Sequence, residues 1–265
     1  MNGSIEEALS KVPAITLTFW IIKILATTLG EIGGDAVTMS WLGETTPNAS
    51  ATSWHPGYLT GTAIFAVIFG IAVALQIRAR QFNPWMYWTT IVASTTVGTT
   101  LADFADRSLG IGYTGGSSLL LALLLASLFV WWRTTGTIAV DSVRDARSEL
   151  FYWLTITFSQ TLGTALGDWV ADTQGLGYVG GIEIFGGLLA LVALLYFTTK
   201  FSRTALFWAA FVLTRPLGAV VGDFLDKPLA KGGLELSRYT GSIALLVAIA
   251  VCITVFPQRP ATKAH

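Results

Sequence analysis

Cysteine and histidine are almost missing from this chain. One cysteine, Cys252, and two histidines, His55 and His265, are spread over 265 residues. A lone cysteine forms no internal disulfide, and a metal-thiolate site needs more cysteines. A histidine metal site or a Ser/His relay has almost no material either. Charge is scarce as well: Asp, Glu, Lys and Arg make up 12% of the chain, against roughly 25% in a soluble domain. Sixteen bases balance sixteen acids. There is no basic stripe and no soluble domain to hold one, which excludes nucleic acid as a partner. The opening MNGSIEEALSKVPA has no basic region ahead of its first apolar run, so it does not read as a cleaved signal peptide.

Apolar length is what the chain has in abundance. It is 53% hydrophobic, with a mean hydropathy of +0.63. A helix needs about 20 apolar residues to cross a bilayer. Eight stretches qualify, near 14–37, 58–79, 85–105, 114–135, 151–171, 178–199, 205–225 and 239–257. The expected fold is an all-α integral membrane protein, a single membrane domain over 1–265. The gap 38–57 is polar and reads as an external loop. Arg78, Arg80, Arg133, Arg144, Arg147, Lys200, Arg203, Arg259 and Lys263 fall on one side of the spans. The opposite loops hold only Arg107, Lys227, Lys231 and Arg238. The positive-inside rule then predicts a multi-pass protein of the inner membrane with both termini in the cytoplasm.

Four segments align without a gap: WIIKILATTLGEIGGD (20–35), WTTIVASTTVGTTLAD (88–103), WLTITFSQTLGTALGD (153–168) and WAAFVLTRPLGAVVGD (208–223). Each reads Trp, nine residues, Gly, three residues, Gly or Ala, Asp. The following span opens on YLTG at 58, YTGG at 113, YVGG at 178 and YTGS at 239. The chain is therefore four tandem two-span units, expected near 14–79, 85–135, 151–199 and 205–257. Two spans per unit make the four Trp-to-Asp helices parallel, as in transporter repeats related by an axis along the membrane normal. These four Trp…Gly…Asp units resemble a bacterial family of membrane-anchored proteins built from four tandem copies of a repeat of unknown function, each copy with two transmembrane regions and a characteristic tryptophan. The resemblance covers nearly the whole chain. It implies the architecture and brings no activity with it.

Trp20, Trp88, Trp153 and Trp208 fit interfacial anchors. Gly30/Gly34, Gly98/Ala102, Gly163/Gly167 and Gly218/Gly222 each form a smooth step where another helix can approach closely. Directly after each step stands an acid: Asp35, Asp103, Asp168 and Asp223. A charge at membrane depth costs a few kcal/mol or more, so four in register need a purpose. Each has a companion on the same helix face: Glu31 four residues before Asp35, Asp106 and Asp226 three residues after their partners, and Asp172 four residues after Asp168. Rim pairs with the adjacent Arg107 and Lys227 offer a structural use for some of these acids, and Arg215 is a candidate buried counter-ion. The remaining excess of acid favours protons or cations. Oxygen-only ligands select hard ions such as Mg²⁺, Ca²⁺ and Mn²⁺, with Asp35, Asp103, Asp168 and Asp223 as the central metal ligands. Thr27, Thr28, Thr95, Thr96, Thr99, Thr100, Thr161 and Thr164 crowd the same helices, as ligands or as back-bonded hydroxyls. Glu183 is a further cation or proton candidate, and Pro216 should kink its helix.

The expected function is transport or export of inorganic divalent cations, with protons as the candidate coupling ion. The cation is then substrate rather than cofactor, and the partners are the lipid bilayer, cations and protons. The alternatives are an accessory or sensory membrane protein without transport, and an intramembrane Mg²⁺-dependent transferase. The sequence leaves the oligomeric state open.

Overall fold

The computed structural model describes residues 10–44, 56–109 and 111–262. His55, Lys263, His265 and the loop reading of 45–55 lie outside the described residues. Among the described residues the architecture is eight long helices: α1 (Leu17–Asp35), α2 (Pro56–Arg78), α3 (Pro84–Asp103), α4 (Tyr113–Thr135), α5 (Ala146–Asp168), α6 (Gly177–Thr198), α7 (Arg203–Asp226) and α8 (Arg238–Val255). Six of them are long and apolar enough to cross a membrane: all but α3 and α5. Those two have the length, at 20 and 23 residues, but are rich in Thr, Ser and Gln.

Their position explains their polarity. The four odd helices form a closed ring, α1 against α3, α3 against α5, α5 against α7 and α7 back against α1. The even helices cover the outside with an offset. α2 lies on α3, α4 on α5, α6 on α7, and α8 returns to α1. Each unit's second helix thus packs chiefly on the first helix of the next unit. In α1 and α7 the apolar window is 61% buried, whereas in α2, α4, α6 and α8 it is 11–22% buried. The even helices present hydrocarbon outward and leave the odd helices free to be polar inside.

Thr16, Asn83, Asp145 and Ser202 start the odd helices, each accepting a first-turn backbone N–H. The Ser148 hydroxyl also donates to Asp145 at 2.7 Å and holds that carboxyl below its ordinary range. At the other end, α1, α3 and α5 pass straight from the repeat Asp into a π-helical turn, Ala36–Trp41, Phe104–Ser108 and Trp169–Thr173. Such turns are rare and concentrate at functional sites. α7 keeps its α geometry to Asp226 and stops at Lys227–Pro228, where the proline disfavours a further helical residue before it. It runs unbroken through Pro216.

The ring is held by the small residues. The side chain three positions before one helix's seam glycine sits against the seam glycine of its neighbour: Thr95 on Gly30, Gln160 on Gly98, Arg215 on Gly163 and Thr27 on Gly218. A Cβ on Gly98 would come within 2.8 Å of the Gln160 Cβ. The Thr95 hydroxyl donates to the Ala26 carbonyl at 3.1 Å, and the Thr27 hydroxyl donates to the Thr214 carbonyl at 3.2 Å. These are equivalent atoms in two successive joints. One turn further along, Gly34, Gly167 and Gly222 take Thr99, Ala219 and Glu31 in the same way. Ala102, the small residue at the equivalent position of α3, is buried at 2% exposure.

At the tryptophan end the ring closes as an aromatic collar. Trp88 meets Phe19 at 5.3 Å between centroids, Trp153 meets Tyr87 at 5.8 Å, Trp208 meets Tyr152 at 6.1 Å and Trp20 meets Phe207 at 5.9 Å. Trp88, Trp153 and Trp208 are at most 4% exposed. Three of the four rings therefore face their neighbours rather than lipid, because the residue before each Trp offers another aromatic surface. Residues ahead of α1 cross this end. The Ser10 hydroxyl donates to the Val140 carbonyl, the Lys11 N–H to Val143, and Pro13 bridges to Pro260 beside an Ala261-to-Val12 bond.

Candidate functional site

Along the axis the odd helices place side chains of one register in one layer. One residue past the seam glycines stand Glu31, Thr99, Thr164 and Ala219. Arg215, wholly buried, reaches into this layer. Its Nη2 donates to Glu31 Oε2 at 3.1 Å, to Thr99 Oγ1 at 2.6 Å and to Thr164 Oγ1 at 2.5 Å. The expected counter-ion role of Arg215 therefore falls on Glu31 of a neighbouring helix.

The next charged layer holds the four repeat aspartates, all buried. It is bridged by two bases. Arg107 sits four residues past Asp103 and reaches it at 3.1 Å, while its Nη2 reaches Asp168 Oδ2 at 3.2 Å. Lys227 sits four residues past Asp223 and reaches it at 3.1 Å, while also binding Asp35. The adjacent rim pairs expected for these bases, Arg107 with Asp106 and Lys227 with Asp226, are not the ion pairs formed. Arg238 takes Asp226 instead, at 2.5 Å. A spacing of four residues returns to the same helix face and adjacency does not.

The other candidates divide by burial. Asp106 is half-buried beside Gly116. Asp172 is exposed, and Glu183 is exposed on the outward face of α6. Neither joins the central cluster. Of the threonines, Thr99 and Thr164 enter the axial layer, whereas Thr96, Thr100 and Thr161 bond back to their own helices.

Six buried carboxylates, Glu31, Asp35, Asp103, Asp168, Asp223 and Asp226, therefore share four cationic side chains, Arg107, Arg215, Lys227 and Arg238. The excess is two negative charges. Glu31, Asp35 and Asp223 each offer an oxygen, and these atoms lie within 4.8 Å of one another. That spread suits a single hard cation with metal–oxygen bonds of about 2.0–2.6 Å. Asp35 Oδ1 is buried without a partner, so it keeps a free lone pair for such an ion. Asp103 and Asp168 stand outside this triad.

Three further sets of buried polar groups stand towards the tryptophan end. Lys23 lies seven residues before Gly30, two turns along the same face, and is wholly buried. Tyr87 and Tyr152 share a 2.6 Å hydroxyl bond in the collar. Glu149 pairs with Lys11 at 2.5 Å at the tryptophan end. A seven-residue count back from each seam glycine finds Lys23 where the other units have Ile91, Ile156 and Phe211.

The family model described as Repeat of Unknown Function (DUF347) matches residues 18–82, 86–137, 151–202 and 206–256. The chain belongs to that family and carries four copies of its repeat. No curated protein and no solved structure matches the chain.

Proposed function

We propose that this protein moves an inorganic divalent cation across the cytoplasmic membrane in exchange for protons, with Glu31, Asp35 and Asp223 as the cation ligands. In this reading all eight helices cross the bilayer, α3 and α5 being shielded from lipid by the others. Both termini are cytoplasmic, so the carboxylate layer lies towards the outside. The observation that carries the reading is the buried triad, three carboxylates within 4.8 Å at a depth where uncompensated charge is costly. The excess of two negative charges in the surrounding layers matches one divalent ion or two protons. Lys227 then acts as a tethered substitute for the ion. Its ammonium neutralises Asp35 and Asp223 while no ion is bound and swings aside on its flexible stem when one arrives. Glu31 trades part of its bond to Arg215 for the metal. Oxygen ligands alone favour Mg²⁺, Ca²⁺ or Mn²⁺ over softer ions.

The test is calorimetric titration of the purified protein with each ion, beside flux into proteoliposomes. Saturable binding and flux are expected, with binding weakened about thirtyfold and flux lost in Glu31→Gln. Flux unchanged in Glu31→Gln and in Asp223→Asn would remove the triad from the pathway. A second reading, an accessory membrane protein without transport, draws on the ion pairs themselves, since four bases already hold the layer together. Absence of binding by any ion would favour it.

A further inference from the structure

Lys23 has no part in that scheme, yet it sits on the same axis. Its ammonium nitrogen is buried with no hydrogen-bond partner, and it forms no ion pair among the described residues. Its one polar-type contact is the face of Phe211, 4.2 Å from the ring centroid. Phe211 is four residues before Arg215 on α7, about 6 Å of backbone rise, and the guanidinium reaches on into the layer of Glu31, Thr99 and Thr164. Towards the tryptophan end, one turn before the Lys23 layer, lies the Tyr87–Tyr152 hydroxyl pair. Between Lys23 and Arg215 the register places Ser94, Ser159 and Gln160, with Gln160 Nε2 3.4 Å from Ser94 Oγ and with Ser159 Oγ and Gln160 Oε1 unpartnered. Polar groups thus follow one another inside the ring: the tyrosine pair, Lys23, the Ser/Gln layer, Arg215 with Glu31, and the aspartates.

Arg215 has Glu31 as its counter-ion, whereas Lys23 has none among the described residues. A cation–π contact returns less than an unpaired buried ion costs. Arg215 cannot release its proton. Lys23 can. Along the bundle Arg215 follows it on the outer side, with Glu31 and the buried aspartates of α1, α3, α5 and α7 beyond, and Tyr87 and Tyr152 precede it on the inner side. No carboxylate is paired with it, so its charge follows how fully Glu31 neutralises Arg215.

We propose that Lys23 is a proton station coupled to the cation site: it gives up one proton when a cation occupies Glu31, Asp35 and Asp223, and takes one back when they empty. The inference rests on the proposed cation site. Binding draws Glu31 away from Arg215, the guanidinium field strengthens at Lys23, and the ammonium becomes an amine. The proton lost balances one charge of the ion gained.

Two measurements on the full-length protein test this separately from the transport reading. Titration with Mn²⁺ in buffers of different ionisation enthalpy counts protons released per ion. Lys23→Met should bind Mn²⁺ and release about one proton fewer than wild type; equal release would overturn the proposal. If wild type binds no ion, the transport reading fails, and the second measurement still decides the chemistry of Lys23. That measurement follows the side-chain nitrogen by NMR on ¹⁵N-lysine protein, with Lys23→Met to assign the signal. A resonance that changes from ammonium to amine at a lower pH than that of the exposed lysines supports the station. An ammonium throughout overturns it. Lys23→Met that fails to fold would be replaced by Lys23→Gln, which keeps a polar head of similar length.

Discussion

On one side of the carboxylate ring Arg107 spans Asp103 and Asp168; on the other Lys227 spans Asp35 and Asp223. The two halves use the same device, a base four residues past one repeat aspartate that reaches the aspartate of the next helix. They differ in the base and in one acid. A guanidinium is a rigid fork that stays charged, and an ammonium is a point charge on a flexible stem. Only the lysine half adds a third carboxylate, Glu31, where the other helices place Thr99, Thr164 and Ala219. The fourfold scaffold thus carries two unlike halves, one bridged by a guanidinium and one by an ammonium.

Removing the two bases should separate the halves most strongly. Arg107→Met leaves Asp103 and Asp168 buried without compensation, a loss of about 3–5 kcal/mol, and millimolar divalent ion should not restore the thermal midpoint in detergent. Lys227→Met should lose a similar amount without ion and recover most of it when divalent ion is added. Equal recovery in both would erase the distinction. Neutralising single acids comes next. Glu31→Gln should weaken divalent binding about thirtyfold, or ~2 kcal/mol, whereas Asp103→Asn should change it less than about threefold by calorimetry. Making the halves alike with Lys227→Arg should cost about tenfold in affinity, or ~1.4 kcal/mol, because the fork does not leave its carboxylates. The smallest effects belong outside the ring. Asp172→Asn and Glu183→Gln should leave stability within about 0.5 kcal/mol and the binding isotherm unchanged.

The repeat frame is legible because it is written four times in one register, and with it come the odd helices, the small-residue seams and the four central acids. The charge partners are harder. Arg107 and Lys227 adjoin Asp106 and Asp226 in sequence, yet the four-residue spacing to Asp103 and Asp223 is what shares a face. α-Helical spacing sets Asp172 beside Asp168, but residues 169–173 form a π turn. The wider turn changes the angle between successive side chains, and Asp172 ends exposed. Lys23 is hidden because it interrupts an apolar run only once, and only a count from the seam glycine shows that it faces the axis. Which outer helix covers which inner one has no signature in a single chain, since α2 is equally apolar whether it lies on α1 or on α3.

That offset cover has a consequence for how the molecule is made. A chain inserted from its beginning meets the bilayer with α1 first, carrying Lys23, Glu31 and Asp35. The partners of all three, Phe211, Arg215 and Lys227, lie on or directly after α7, and the outer flank of α1 waits for α8. Helix α1, with its three buried charges, therefore stays incomplete until α7 is made, and the half of the ring bridged by Lys227 is the last to assemble.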